Sequence, residues 1–260
     1  KKVDIWNTGI VIYILLSKPF QRIIVQIKSV IVAAKRTPIG SFQGQLSSLT
    51  ASDLASHLII NIMRDLDIPA DAVDEVILGN VLSAGQGQSP ARQAAIKGGL
   101  PNTVETLTIN KMCGSGLKAI MLADQAIKSN SADIIIAGGM ESMSNAPHIL
   151  QNFRTGNKLG HSKVIDSVIH DGLWDVYTNQ HMGNCAEMLV KDRQYSREDQ
   201  DAYAVSSYRK ANSAKKANIF KDEIIPIEVK IKNEKMLISD DEEPSRVHYD
   251  KISKLKDNDF

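Results

Sequence analysis

The stretch NKMCGSGLKAIMLADQAIKS, residues 110–129, decides the fold. A short apolar run, Leu107 to Asn110, ends as it begins and reads as a strand. Cys113 follows at once, then Gly114-Ser115-Gly116. From Gly116 to Ser129 apolar residues recur at helical spacing, with Leu117, Ile120, Ala123 (or Leu122) and Ile127 expected to face inward. The unit is therefore strand, tight turn, helix. It puts a thiol at the carboxyl end of a strand, where open α/β sheets bind ligands. The thiol also lies at a helix start, whose unpaired N–H groups and dipole favour a thiolate. The flanking glycines allow close backbone approach.

Similar units lie on both sides. Residues 29–34 (SVIVAA) read as a buried strand that stops before Lys35, Arg36 and Thr37-Pro38. Thr50 and Asp53 form a capping box, and Leu54, Leu58, Ile62 and Leu66 mark one face of the helix it opens. Residues 75–82 (EVILGNVL) read as a strand, and Ser89-Pro90 as an N-cap with proline at the first position of a helix reaching about Lys97. Asp133 to Ala137 is a further strand, stopped by Gly138-Gly139. Apolar strands alternating with helices imply an α/β fold with a mostly parallel sheet covered on both faces. After about Met140 the chain turns polar and irregular. Ser196 and Asp199 cap a helix reaching about Lys216, residues 223–231 are extended with Pro226 at an edge, and the rest reads as polar loop.

Composition narrows the function. The 31 basic and 30 acidic residues nearly cancel, so nothing suggests a nucleic-acid partner. The two cysteines, Cys113 and Cys185, are too few for a disulfide scaffold and too far apart for a zinc or redox motif, which fits a reducing compartment. The apolar run 10–16 is too short to span a bilayer, so no membrane partner is expected; it supports a signal peptide only weakly, and a transit peptide is poorly supported. Organised sequence is expected from about Val25, leaving residues 1–25 as an unassigned extension of a chain that reads as a fragment. Gly85-Gln86-Gly87-Gln88-Ser89-Pro90 lacks the third glycine of a dinucleotide fingerprint. His170, His181 and Cys185 lack the pattern of a zinc site.

The residues alone leave Cys113 open between an activated nucleophile and a buried structural thiol. The first reading has the logic of the strand–nucleophile–helix elbow. Resemblance decides. VIVAAKRTPIGSFQG (30–44), GNVLSAGQGQSPARQAA (79–95), INKMCGSGLKAIMLA (109–123), IIIAGGMESMSNAPH (134–148), DGLWDVYTNQHMGNCAE (171–187), SREDQDAYAVSSYRKA (196–211) and DEEPSRVHYDKISKLK (241–256) resemble consecutive segments of thiolases, in family order. The acetyl-CoA acetyltransferase group is the nearest type, especially through DEEPSRV.

The resemblance implies a thiolase-like fold, αβαβα in the full enzyme. Of this the chain carries the N-terminal α/β domain (26–142) and an inserted loop domain that binds CoA (143–260), with the C-terminal domain absent. It implies that Cys113 takes an acyl group from an acyl-CoA and passes it to the α-carbon of a second acyl-CoA, the reverse being thiolysis. The base and second acid/base group belong, by the same resemblance, to the further domain, so the chain alone is expected to be inactive. Tyr208, Arg246, Val247, His248 and Lys251, with Leu173, His181 and Met182, match coenzyme A positions. His248 stands where the mitochondrial type has an acidic residue, and Tyr208 matches a potassium position of that type. Taken singly, Tyr208 also reads as a core aromatic, the 246–251 run as a solvated loop, and His181 and Cys185 as structural. The expected activity is acetyl-CoA C-acetyltransferase. A broader 3-ketoacyl-CoA thiolase and an inactive CoA-binding fragment are the rivals. Further expectations are coenzyme A as substrate, no prosthetic group, a homodimer or homotetramer, and the mitochondrial matrix or cytoplasm.

Overall fold

A computed structural model describes residues 11–16, 28–231 and 234–255. Most of the N-terminal extension, including the basic residues Lys1 and Lys2, lies outside the described residues. Eight elements build the layered unit: β1 (Val11–Leu16), β2 (Val30–Arg36), α1 (Ala51–Leu66), β3 (Glu75–Gly79), α2 (Pro90–Lys97), β4 (Glu105–Ile109), α3 (Ser115–Lys128) and β5 (Ile134–Gly139). The strands form one sheet in the order β2-β1-β5-β3-β4. β3 runs parallel to both β4 and β5, while β1 is antiparallel to β2 and β5.

β1 departs from the expectation that organised structure begins near Val25. Six consecutive apolar residues, VIYILL, suit a strand with neighbours on both sides, and β1 fills the place between β2 and β5.

Alternation along the strands builds two cores. Val76, Leu78 and Ile136 face α1 and α2, meeting Leu58, Ile59, Ile62, Ala91 and Ala94. Ile77, Ile135 and Ala137 face α3, meeting Ala119, Ala123 and Ile127. Each large aliphatic side chain so buried contributes about 1.5–3 kcal/mol. The inward stripe of α3 holds as expected at Ile120, Ala123 and Ile127 but not at Leu117, which is 66% exposed. The first turn passes close over the strand ends, where a Cβ on Gly116 would lie 3.5 Å from Gly139 N. Gly116 therefore takes the inward position, and the stripe continues through Ala119, Ala123 and Ile127.

The Thr50 capping box forms as expected: Asp53 N–H donates to Thr50 Oγ1 (3.2 Å) and Thr50 N–H to Asp53 Oδ2 (3.1 Å). Ser89 does not cap α2. It sits in the left-handed region (φ 44°), and Thr108 Oγ1 on β4 accepts the Ala91 N–H at 3.0 Å instead.

Beyond β5 the elements are short. Strands β6 (His148–Leu150) and β7 (Val164–Asp166) pair, a π-helical turn spans Val168–Leu173, and β8 (Trp174–Asp175) pairs with β9 (Gln180–His181). Helices α4 (Met182–Arg193) and α5 (Arg197–Lys216) follow, the second capped by Ser196 as expected. The expected strand around 223–231 is β10 (Ile227–Ile231), paired with β11 (Glu234–Ile238) where polar loop was expected. Ile227, Val229 and Ile238 join the core on the α1 side. Among the described residues the last helix is α6 (Tyr249–Ile252). Among the described residues no helix is long and apolar enough to cross a membrane.

Candidate active site

The turn carrying Cys113 is fastened by its neighbours. Met112 adopts φ +49°, an uncommon conformation for a residue with a side chain. Asn110 Oδ1 accepts the Met112 N–H (2.9 Å), and Gly114 N–H donates to the Lys111 carbonyl (3.1 Å). Ser115, 5% exposed, closes the turn from the other side. Its Oγ accepts the Lys111 N–H (2.8 Å) and donates to the Met112 carbonyl (2.6 Å). Cys113 thus stands just before Gly114, the N-cap of α3, with its surface exposed. Ser115→Ala removes the acceptor of the part-buried Lys111 N–H and is expected to cost about 0.5–1.5 kcal/mol in a denaturant titration.

Glycine lets this turn reach the sheet. A Cβ at Gly79 would lie 2.5 Å from Ser115 Cβ and 2.7 Å from Gly116 N. No larger residue fits the last position of β3 without moving α3.

Cys113 lines a cavity of about 360 Å³, within the range of small-molecule sites. One wall is the exit of β3, through Val81 and Leu82; another is the exit of β5, through Met140 and Glu141. Leu117 and Ile120 of α3 and Val168, Gly172 and Leu173 of the π-helical turn close the rest. The lining is mainly apolar, with the thiol and one carboxyl as its reactive groups.

Glu141 escaped the sequence reading, although it follows a strand ending in Gly-Gly. Its Oε1 accepts from Asn80 Nδ2 (2.7 Å) and the Leu82 N–H (3.1 Å); its Oε2 accepts from the Val81 N–H (2.9 Å). Burial pushes its pKa up, and the hydrogen bonds from Val81 and Leu82 oppose the rise. The folded state therefore holds this proton more tightly than the unfolded chain. The carboxyl's contribution is fully present below the unfolded pKa and is lost as pH rises through the folded one. Thermal melts across that window are expected to show a shallower decline with pH for Glu141→Gln.

The coenzyme A candidates divide. Leu173 shares the cavity with Cys113. His181 precedes α4 as its N-cap, its Nδ1 accepting the Gly183 N–H at 2.9 Å, and Met182 opens the helix. Tyr208 is half-buried on α5, the helix that packs against residues 243–252. Asn212 Nδ2 of α5 donates to the Pro244 carbonyl (2.8 Å), and Arg209 lies 5.8 Å from the Tyr249 ring. Arg246 is ion-paired with Glu243 (3.3 Å) and Glu242 (3.7 Å); Val247 is half-buried, while His248 and Lys251 are exposed. Cys185, half-buried in α4, forms no disulfide with Cys113.

The model of the thiolase N-terminal domain matches residues 29–258. The chain belongs to the thiolase family. A probable acetyl-CoA acetyltransferase of Escherichia coli is 53% identical over 215 residues, which are 83% of this chain and 55% of that protein. The acetyl-CoA acetyltransferase of Yarrowia lipolytica is 48% identical over 226 residues, 87% of this chain and 56% of its own length. The crystal structure of Acat5 thiolase from Ascaris suum, in complex with coenzyme A, superposes with a TM-score of 0.80 at 38% identity, covering 95% of this chain and 58% of that one. The chain thus spans little more than half the length of these thiolases. All the walls of the Cys113 cavity fall within the matched thiolase residues; β1 lies outside them.

Proposed function

We propose that this chain is the nucleophile-bearing part of an acetyl-CoA C-acetyltransferase that joins two acetyl-CoA molecules and, in reverse, cleaves acetoacetyl-CoA by thiolysis. The observation that carries the reading is an exposed thiol at the start of α3, on the wall of an apolar cavity. The relatives' names support the substrate class.

In the first half-reaction Cys113 Sγ attacks the thioester carbonyl. A new C–S bond forms, the bond to coenzyme A breaks, and coenzyme A leaves as its thiol after taking up the proton lost by Cys113. Ser115 N–H is given to the Met112 carbonyl (3.0 Å), so the Gly116 and Leu117 N–H groups of the first turn of α3 are the ones we assign to the oxygen that becomes negative. In the second half-reaction an α-carbanion of another acetyl-CoA attacks the acetyl carbonyl and Cys113 departs. The groups managing these protons are assigned by family resemblance to a further domain, so these 260 residues alone are expected to yield no acetoacetyl-CoA and, without that base, to build up the acyl-cysteine only slowly through the Cys113 thiolate. Tyr208, Arg246, Val247, His248, Lys251, His181 and Met182 form the proposed coenzyme A path leading to Leu173. Potassium at Tyr208 has only the resemblance behind it, and no step is routed through the ion. Homo-oligomerisation and a mitochondrial or cytoplasmic site belong to the same proposal.

A Staphylococcus aureus relative, 48% identical, bears the broader name of probable acetyl-CoA acyltransferase, which keeps longer acyl groups as a second reading. Incubation with isotopically labelled acetyl-CoA, then with acyl-CoAs of increasing length, tests both. Peptide mapping by mass spectrometry should place the acetyl group on the Cys113 peptide. Label confined to Cys185 or to lysines would overturn the assignment, and equal labelling by long chains would favour the broader enzyme.

A further inference from the structure

The acyl-transfer chemistry uses Cys113 and leaves Glu141 without a part, yet this half-buried carboxyl is the one carboxyl on the cavity's lining. Its bonds define what it can do. Both oxygens are occupied: Oε2 holds the Val81 N–H, and Oε1 holds the Leu82 N–H and the Asn80 amide. Asn80, 2% exposed, also donates to the Met140 carbonyl (3.2 Å) and accepts from Gln86 Nε2 (3.2 Å). Val81 and Leu82 are the residues that the β3 exit presents to the cavity. Beyond β3 they have no sheet partner to fix their backbone, and the carboxylate supplies the missing acceptors.

The geometry points to Glu141 as a positioning residue that holds Val81 and Leu82 as the wall facing Cys113, and so sets the length of acyl chain the site admits. The inference deepens the acyl-transfer reading and names the specificity element of the same cavity. Glu141 touches the wall rather than the reacting atoms. Gln at this position can keep the two bonds made by Oε1, but its amide NH₂ then faces the Val81 N–H, donor against donor. One anchor of the wall is lost while size and shape are kept.

The test reads the wall through Cys113 without thioester chemistry. The chain is treated with a ladder of n-alkyl methanethiosulfonates from methyl to octyl, and modification rates at Cys113 and Cys185 are followed by peptide mass spectrometry. In Glu141→Gln the octyl-to-methyl rate ratio at Cys113 is expected to rise about fivefold, the factor one lost hydrogen bond is worth. The ratio at Cys185 should stay put, whereas general loosening of the fold would move both. Glu141→Asp keeps the charge but withdraws one methylene from both N–H groups; it reads the same ratio should the Gln variant not fold. A Cys113 ratio unchanged within roughly twofold, or one that moves in step with Cys185, overturns the inference. Absence of acetyl transfer from acetyl-CoA in the native chain would instead count against the acyl-transfer reading, and the alkyl ladder would still decide the role of Glu141.

Discussion

Replacing Cys113 with alanine is expected to abolish acyl labelling at this site while leaving the melting temperature nearly unchanged. The two halves of this result have separate causes. Labelling needs a nucleophile in the cavity, and the neighbouring groups offer none: Ser115 Oγ is engaged with Lys111 and Met112. Ser at position 113 is expected to be almost as inert, because a hydroxyl without an adjacent base is a far weaker nucleophile than a thiol. Stability should hold because the side chain is exposed and packs no core; substitutions of that kind stay within about 0.5 kcal/mol. A structural cysteine gives the opposite pattern, with a large loss of stability and no loss of labelling. Parallel melting curves and acetyl-CoA labelling of the native, Cys113→Ala and Cys113→Ser chains separate the two. Substantial acyl label on the Cys113→Ala chain would remove the nucleophile assignment.

What the sequence disclosed follows from local physics. The strand–turn–helix around Cys113 could be read because the apolar period changes there from runs to helical spacing, with glycines marking the junction. The Thr50 and Ser196 caps could be read because capping is settled within four residues. The misses share a different cause: each depends on a partner far along the chain. The VIYILL run was left in an unassigned extension because an isolated apolar run does not declare its element, and only pairing with β2 and β5 decides. Leu117 was expected inside because spacing alone does not show that Gly116 is the residue pressed against Gly139. Ser89 was expected to cap α2 because Thr108, on a different element, could not be foreseen as the acceptor for Ala91. β11 was read as loop because most of its side chains face solvent and only Ile238 is buried. Glu141 was overlooked because a carboxylate in a string of letters looks solvated until the three donors that surround it are known. The coenzyme A positions came from resemblance, and the structure adds that Arg246 is shared with Glu242 and Glu243. A phosphate there has to compete with two carboxylates.

Asp241→Ala is expected to cost about 3–5 kcal/mol, the usual result of leaving a buried charge short of its partner, and roughly 10 °C in melting temperature for a chain of this size. Arg36, at the end of β2, is 8% exposed. Its Nη1 and Nη2 meet both Asp241 oxygens at 2.7 and 3.0 Å, and its Nε meets Glu223 at 2.6 Å. The Phe220 ring lies 5.2 Å from the guanidinium. Asp241 also accepts the Ile39 N–H at 2.8 Å, so alanine there orphans a backbone donor as well as half of the guanidinium. Glu223 is a much weaker lever. Its side chain is 43% exposed, against 13% for Asp241, and water can replace it, so Glu223→Ala should cost under about 1 kcal/mol. The pair of variants therefore distinguishes burial from mere charge pairing. The double replacement Arg36→Met with Asp241→Leu, which removes both buried charges, should recover most of the loss. The clamp has a functional side. Glu242, the next residue, holds the Ser41 and Gln45 N–H groups at 2.9 and 3.1 Å, so 241–243 fasten the segment bearing Arg246, Val247, His248 and Lys251 to the loop after β2. Hydrogen exchange in Asp241→Ala should consequently rise at 244–252 while the α3 amides stay protected. Equal destabilisation by Asp241→Ala and Glu223→Ala would show that the buried fork at Asp241 is not what holds this segment down.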